Sequence, residues 1–465
     1  MKKINLILVV IFLTLNCSIN AQVPVLMGMT STGGINSNGN IFKINGDSTG
    51  FQSLYEFQLA TGIKPNGTLF KANNGLYYGT AKSGGVDSLG VIFCYNVNTN
   101  SYSDIIDLNG PNGRTPGSFS NFMQSANGKL YCTMGGGDSS HGVISCLDPS
   151  NNAYTIVHSF FASTFYGPLS PLLQLNNGLI YGSCPLGGSL HQGGIYSFDL
   201  IGNIYTQINN SINTTGNAMR GYLVNYNDTL LYGCGGGGGL HGNGVIFSYN
   251  LITNTYTDLF DFTTLINGSG PNSGLMKANN GILYGMTDGG PNQYGLIFSF
   301  NPATNVQTVL HYFNLIDGNR GFGGLIQASD GKLYGMTQSG GTNGSGVVFS
   351  YDIVTNTYTV IHNFNGTDGN SPFGNLIEIT ETSTGVSGLS KENGVRIFPN
   401  PTTNTVTFHQ DNYSPNQQVI ITDVLGNRVY SQALYNATET IDISHLSSGI
   451  YFYEVSGKRG KIIKN

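Results

Sequence analysis

From residue 25 onward the apolar residues come in short alternating runs that Gly, Asn and Pro interrupt every few positions. Runs with a period of two, rich in β-branched and aromatic side chains, predict antiparallel strands rather than helices. Four follow one another between residues 274 and 313: Gly274-Leu275-Met276-Lys277-Ala278, Leu283-Tyr284-Gly285-Met286-Thr287, Leu296-Ile297-Phe298-Ser299-Phe300, and Gln307 to Phe313. We term them strands a to d. The second run recurs as Met27-Gly28-Met29-Thr30, Tyr78-Gly79-Thr80, Tyr131-Cys132-Thr133, Tyr181-Gly182-Ser183, Tyr232-Gly233-Cys234 and Tyr334-Gly335-Met336-Thr337. Its central residues, at 28, 79, 132, 182, 233, 285 and 335, lie 50 to 53 residues apart. A four-strand unit with a period near 50 predicts the blade of a β-propeller.

The ends of the array predict how it closes. Val25 opens a strand b with no strand a before it, and Gly374 to Ile379 form a strand a with no strand b after it. Together they complete one blade, pairing two edges that would otherwise invite aggregation. The expected fold is all-β, a seven-bladed β-propeller over 22–379 that forms a monomeric ring, its closing blade shared between both ends of the array. An open solenoid would need polar caps, and none is visible.

Composition refines this. Charged residues are only 9% and Gly is 67 of 465, a balance that also suits disorder, but 27 Tyr and 25 Phe at blade-periodic positions favour a packed array. A net charge of −5 without a basic stripe argues against a nucleic-acid partner. Residues 1–21 carry Lys2, Lys3, an apolar run from Ile4 to Leu15 and small or polar residues to Ala21, which predicts a secretory signal peptide. No other segment is apolar enough to cross a bilayer as a helix. Residues 380–393, rich in Ser, Thr, Gly and Glu, read as a linker. Of the cysteines, Cys94, Cys132, Cys146, Cys184 and Cys234 remain after the signal, an odd number that reads mostly as buried thiols.

The remainder, 394–465, contains Phe398-Pro399-Asn400-Pro401-Thr402, Val419 to Gly426, Ile441 to Leu446, Ser448-Gly449-Ile450-Tyr451-Phe452 and a basic end from Lys458 to Lys464. It resembles the type A C-terminal sorting domain of the Bacteroidetes type IX secretion system. The resemblance implies a small Ig-like β-sandwich, read by the type IX machinery, and a product that is secreted or attached to the outer-membrane surface. Pro399, Asn400, Pro401, Asp423, Gly426, Gly449, Tyr451, Lys461 and Lys464 are the sorting-signal residues it implies. The propeller units, through Leu333-Tyr334-Gly335-Met336-Thr337, Gly340-Gly341 and Gly346 to Tyr351, resemble the GloVer tandem repeat, which brings no assigned activity.

In an antiparallel blade the d-to-a and b-to-c loops leave on one side, and here these are the long, variable ones. Function concentrates on such loops. Three b-to-c histidines, His141, His191 and His241, lie 50 residues apart. Repeat duplication alone also gives that spacing, and no carboxylate stands at a fixed offset to orient them, so loop bracing competes with ligand binding. Arg114, Arg220 and Arg320, with Asp317 and Asp368, lie in d-to-a loops. With Phe161, Phe165 and Tyr166 they are candidates for a saccharide or peptide site, against the plainer reading of surface charges that keep the ring soluble. His158, His311 and His362, at one strand-d position that elsewhere holds Tyr55, Ile106, Asn209 and Phe260, read as packing residues.

The chain has no Trp, no Walker loop, no zinc-spaced Cys/His cluster and no Gly-x-Ser-x-Gly elbow. No catalytic residue, metal ligand or cofactor is predicted. Two readings remain: a secreted or cell-surface protein that binds glycan, peptide or protein on its long-loop face, and an exported hydrolase or lyase acting there through loop Asp, Arg and His.

Overall fold

The computed structural model describes residues 23–117, 121–168, 170–380, 395–410, 413, 417–424, 426–455 and 458–464. Two compact units divide between Thr380 and Glu381. The expected signal peptide and nearly all of the expected linker lie outside the described residues.

The first unit consists of antiparallel sheets, most of which pair their strands in chain order. One contains Leu275–Lys277, Leu283–Thr287, Leu296–Asn301 and Val306–Tyr312. The Tyr-Gly repeat has a local cause. The tyrosine hydroxyl bonds the turn residue four positions earlier, as in Asn74–Tyr78 at 2.9 Å, Asn127–Tyr131 at 2.8 Å, Asn177–Tyr181 at 2.8 Å and Asp330–Tyr334 at 2.7 Å. The glycine makes room for an aromatic ring of strand c. A Cβ on Gly285 would lie 2.7 Å from Phe298, and one on Gly335 2.6 Å from Phe349. Where Cys132 replaces the glycine, the facing strand-c residue is the small Ser145, whose Oγ lies 3.2 Å from the Cys132 Sγ. The repeat therefore conserves volume across the strand pair.

The first sheet joins the two ends of the array in the order Gln52–Glu56, Asn40–Asn45, Val25–Thr32, Asn370–Ile379. Its register runs from Val25 opposite Ile379 to Thr32 opposite Asn370. The last strand starts four residues earlier than sequence pattern suggested, because Asn370 to Pro372 pair with Thr32 and Thr30 before a register shift between Met27 and Met29.

The apolar cores lie between sheets, each joining one sheet to the next in sequence. Tyr78, Ile92 and Leu108 meet Leu130, Cys132 and Val143, and Tyr284, Met286 and Ile297 meet Leu333, Val347 and Phe349. Another joins Tyr334, Met336 and Val348 back to Leu26, Phe42 and Leu376. This all-β, propeller-like arrangement leaves all five described cysteines free and buried. Cys132 faces Ser145 and Cys146 faces Tyr131, so these two are not opposed.

The second unit has two sheets around Val406, Phe408, Val419, Ile421, Val455 and Ile462. Asn400 locks the Pro-Asn-Pro segment to the last strand, Lys458–Lys464, donating to the Lys461 carbonyl at 2.8 Å and accepting from the Ile463 amide at 2.8 Å. Asp423 and Gly426 form a turn, with the Gly426 amide on the Asp423 carbonyl at 3.1 Å and Gly426 at φ 86°. Gly449 pairs with Lys464, and the Tyr451 hydroxyl donates to the Ser447 carbonyl at 2.8 Å.

Candidate functional site

The a strands of different sheets converge. The Thr68 amide donates to Asn121 Oδ1 at 2.8 Å, the Asn375 amide to Thr68 Oγ1 at 2.7 Å, and the Gly324 amide to Asn375 Oδ1 at 2.7 Å. These residues occupy one position in successive repeats, immediately before the buried Leu69, Phe122, Leu325 and Leu376. Tyr222 holds that position in its own repeat and reaches across the centre, its hydroxyl donating to Asn375 Oδ1 at 2.5 Å. It fits because its neighbours there are Gly274 and Gly324. A Cβ on Gly324 would lie 2.9 Å from the Tyr222 ring, and one on Gly274 would strike Tyr222 itself. One aromatic side chain and two glycines thus fill the middle of the array with hydrogen-bonded polar groups.

On the long-loop side of this floor lies Asp288, immediately after strand b Leu283–Thr287. The Asn272 Nδ2 donates to its Oδ2 at 2.5 Å, while Oδ1 is buried with no partner among the described residues. Burial pushes the Asp288 carboxyl up to about 7, against the opposing pull of Arg320 and Arg220. Both arginines are exposed, and neither guanidinium has a hydrogen bond or ion pair among the described residues. Backbone bonds fix their surroundings: Arg320 donates to the Tyr294 carbonyl at 3.0 Å and accepts from the Gln338 amide at 2.9 Å, and Asp288 donates to the Gly270 carbonyl at 3.1 Å. Asn319 Oδ1 beside Arg320 is another buried acceptor without a partner among the described residues. Asp104 and Asp258 are also raised, to about 6, by burial and by Asp107 and Asp261, but they lie in strand d, at the far edge of their sheets.

The structure brings Arg220 and Arg320 together around a carboxyl that sequence reading did not single out. Arg114 occupies a different loop position. Its amide bonds the Gly135 carbonyl, the place that Asn319 takes with Ser339. The three histidines likewise fall in three registers. The equivalent loop glycines are Gly142, Gly193 and Gly244, bonded to the carbonyls of Gly136, Gly187 and Gly238. His141, His191 and His241 stand one, two and three residues before them, so an even spacing in sequence is uneven in space. His191 takes the left-handed turn position, φ 57°, held by Ser88 and Ser140 elsewhere. His141 packs edge-on against Tyr166 at 5.4 Å. Among the described residues no group of three His, Cys, Asp or Glu could hold a metal ion.

Asp317 and Asp368 are engaged by their own loops. Asp317 accepts from the Asn314 amide at 2.8 Å and from His311 Nε2 at 3.1 Å; Asp368 repeats this with Asn365 at 2.8 Å and His362 at 3.1 Å. The histidine rings stack on Tyr358 and Phe51, with centroids 3.8 and 4.0 Å apart. Burial holds both histidines below their usual range despite the neighbouring carboxyl groups, so each ring is neutral near pH 7. The signal was available in the sequence: His and Asp six residues apart in two adjacent repeats, each with Asn three before the Asp.

The pattern of the Gloeobacter/Verrucomicrobia repeat matches residues 17–196 and 167–398, together most of the chain. The chain belongs to the Gloeobacter/Verrucomicrobia repeat family. The family repeat is followed at 396–465 by a match to the secretion system C-terminal sorting domain. That tail marks the chain for export by the type IX machinery, with which it interacts, to the cell exterior or surface. No curated protein matches the sequence. Among solved structures, a candidate 6-phosphogluconolactonase from Bacteroides fragilis is similar at TM-score 0.53 and 12% identity, over 78% of this chain and 99% of that one. A second candidate from Bacteroides uniformis reaches TM-score 0.52 at 14% identity, over 76% and 99%. At these identities the likeness is one of fold. No helix among the described residues is long and apolar enough to cross a membrane.

Proposed function

We propose that this exported chain is a binding and interaction protein. A seven-bladed β-propeller over 22–379, its closing blade shared between the two ends of the array, presents one loop face to a glycan, peptide or protein ligand. An Ig-like sandwich over 394–465 serves as the sorting tail, and residues 1–21 as the signal peptide. The ring reading draws support from the shared first sheet and from an apolar core between the last sheet and the first.

One observation carries the functional reading: a polar mouth over a filled centre, where Arg220, Arg320 and the unmatched oxygens of Asp288 and Asn319 gather. Polar groups without internal partners, held on a rigid scaffold, suit recognition of an external molecule. Of the sequence candidates, Arg220 and Arg320 belong to this site. His141, His191, His241 and Arg114 would contact only a ligand large enough to spread over neighbouring loops, and Asp317 and Asp368 would act by holding loop shape.

A thermal-shift screen of the full chain against polysaccharides, oligosaccharides, peptides and divalent metals tests this. A ligand specific to the folded state adds about 2.7 kcal/mol at 100 times its dissociation constant. Silence across glycans, peptides and surface extracts would refute binding at this face. The raised carboxyl of Asp288 favours a second reading, an exported hydrolase or lyase with Asp288 as proton donor. Turnover abolished in a folded Asp288→Asn variant would establish it.

A further inference from the structure

We propose that Arg220 and Arg320, flanking Asp288 and Asn319, form a subsite for the carboxylate of an acidic saccharide. This rests on the reading of the loop face as a binding surface and names the ligand chemistry for it.

Two guanidinium groups from separate d-to-a loops, in a chain where only 9% of residues are charged, act on one carboxyl and pair with no anion among the described residues. Guanidinium forks match a planar carboxylate with two parallel N–H donors, which makes an acidic ligand group the natural third member. Asp288 complements rather than opposes it. One oxygen is held by Asn272, and the other is buried and unmatched. While it carries a proton this carboxyl brings no negative charge to compete with the ligand's for the two arginines. Arg220 and Arg320 are the charged groups that act on it.

The rest of the mouth favours a sugar over an acidic peptide. Asn319 and Gln338 come from neighbouring loops, and amide side chains pair donor and acceptor with adjacent ring hydroxyls. Phe322, part-exposed and stacked on Phe373 at 5.7 Å, follows Arg320 by two residues and offers an apolar face to a pyranose ring.

The test is calorimetric titration of the full chain with an alginate-derived hexasaccharide and with its methyl ester, each at pH 6 and pH 8.5. The acid is expected to bind at least about tenfold more tightly than the ester. Its affinity should fall several-fold from pH 6 to pH 8.5 as Asp288 ionises through about 7. Arg220→Ala and Arg320→Ala, both at exposed side chains, should each cost about tenfold or more, with unchanged melting temperatures certifying the fold. Asp288→Asn should bind the acid with no loss between the two pH values. Equal binding of acid and ester overturns the carboxylate subsite while leaving the face a glycan-binding one. Binding of a neutral oligosaccharide or peptide but not of the acid does the same. No binding of any saccharide or peptide by the folded chain overturns both.

Discussion

Asp317 and Asp288 lie on the same loop face, one inside a d-to-a loop and the other at the end of a strand b, yet their surroundings differ. Asp317 accepts from the Asn314 backbone and side chain and from His311, and its carbonyl accepts from the Tyr358 hydroxyl at 2.6 Å. Asp288 has one partner on one oxygen and none on the other. Being a rare charge on this face does not by itself leave a carboxyl open to a ligand; Asp317 is spent on its own loop. Internal hydrogen bonds use up the valence that a ligand would need.

The strongest challenge to the scaffold side of this contrast is to delete 374–379. That removes the half of the partner strand paired with Val25 to Met27, and the Asn375 contact of Tyr222. Unfolding of the full-length chain should then occur many degrees lower, or the ring should fail to fold; an unchanged melting temperature would refute the closed array. Next in size is Asp317→Ala, which strands His311 and opens the Asn314 turn at a cost of about 2–4 kcal/mol in denaturant unfolding. Asp288→Ala should cost far less.

Asp288→Asn sharpens the contrast by pH. The folded-state value is raised from 3.8 to about 7, so the folded chain binds the extra proton between those values and loses stability as pH rises through that window. The variant should therefore match the parent near pH 4 and exceed it by about 1–2 kcal/mol at pH 8, below the full equivalent of the shift because the carboxyl is only part-buried and solvent screens its charge. His311 and His362 give the opposite slope. Burial depresses them, so the unfolded chain takes up protons first as pH falls below about 6.5, and stability declines toward acid. The smallest effect is expected at His158, whose Nε2 is buried without a partner among the described residues and whose position holds Phe260 in another repeat. His158→Phe should raise stability by about 0.5–1 kcal/mol.

Strand order, the Tyr-Gly repeat and the shared sheet were legible because each recurs, and recurrence exposes whatever packing demands in every copy. The mouth was not, because it is where copies differ. Asp288 stands at the position held by Ser31, Lys82, Gly135, Pro185, Gly236 and Gln338 in the other repeats, and no periodic argument selects it. Even spacing also misled. Loops of unequal length shift His141, His191 and His241 by one register per repeat, while Arg114, Arg220 and Arg320 occupy three loop positions, and it is Arg220 and Arg320 whose charges act on the same carboxyl. Tyr222 was hidden for a related reason: its role depends on the glycines at the same position in other repeats, a complementarity across sheets.

The pairing of Val25–Thr32 with Asn370–Ile379 also sets a timetable for biosynthesis. A ribosome that has delivered residues up to 369 has made every strand of the array but one, and the edge of Val25–Thr32 still has no neighbour. Any product cut short within the array keeps that edge as an open template for another chain. The residues that fill it are the last ones made before the segment that leads to the sorting tail, so a chain that carries the export tag has already been supplied with the strand that closes it.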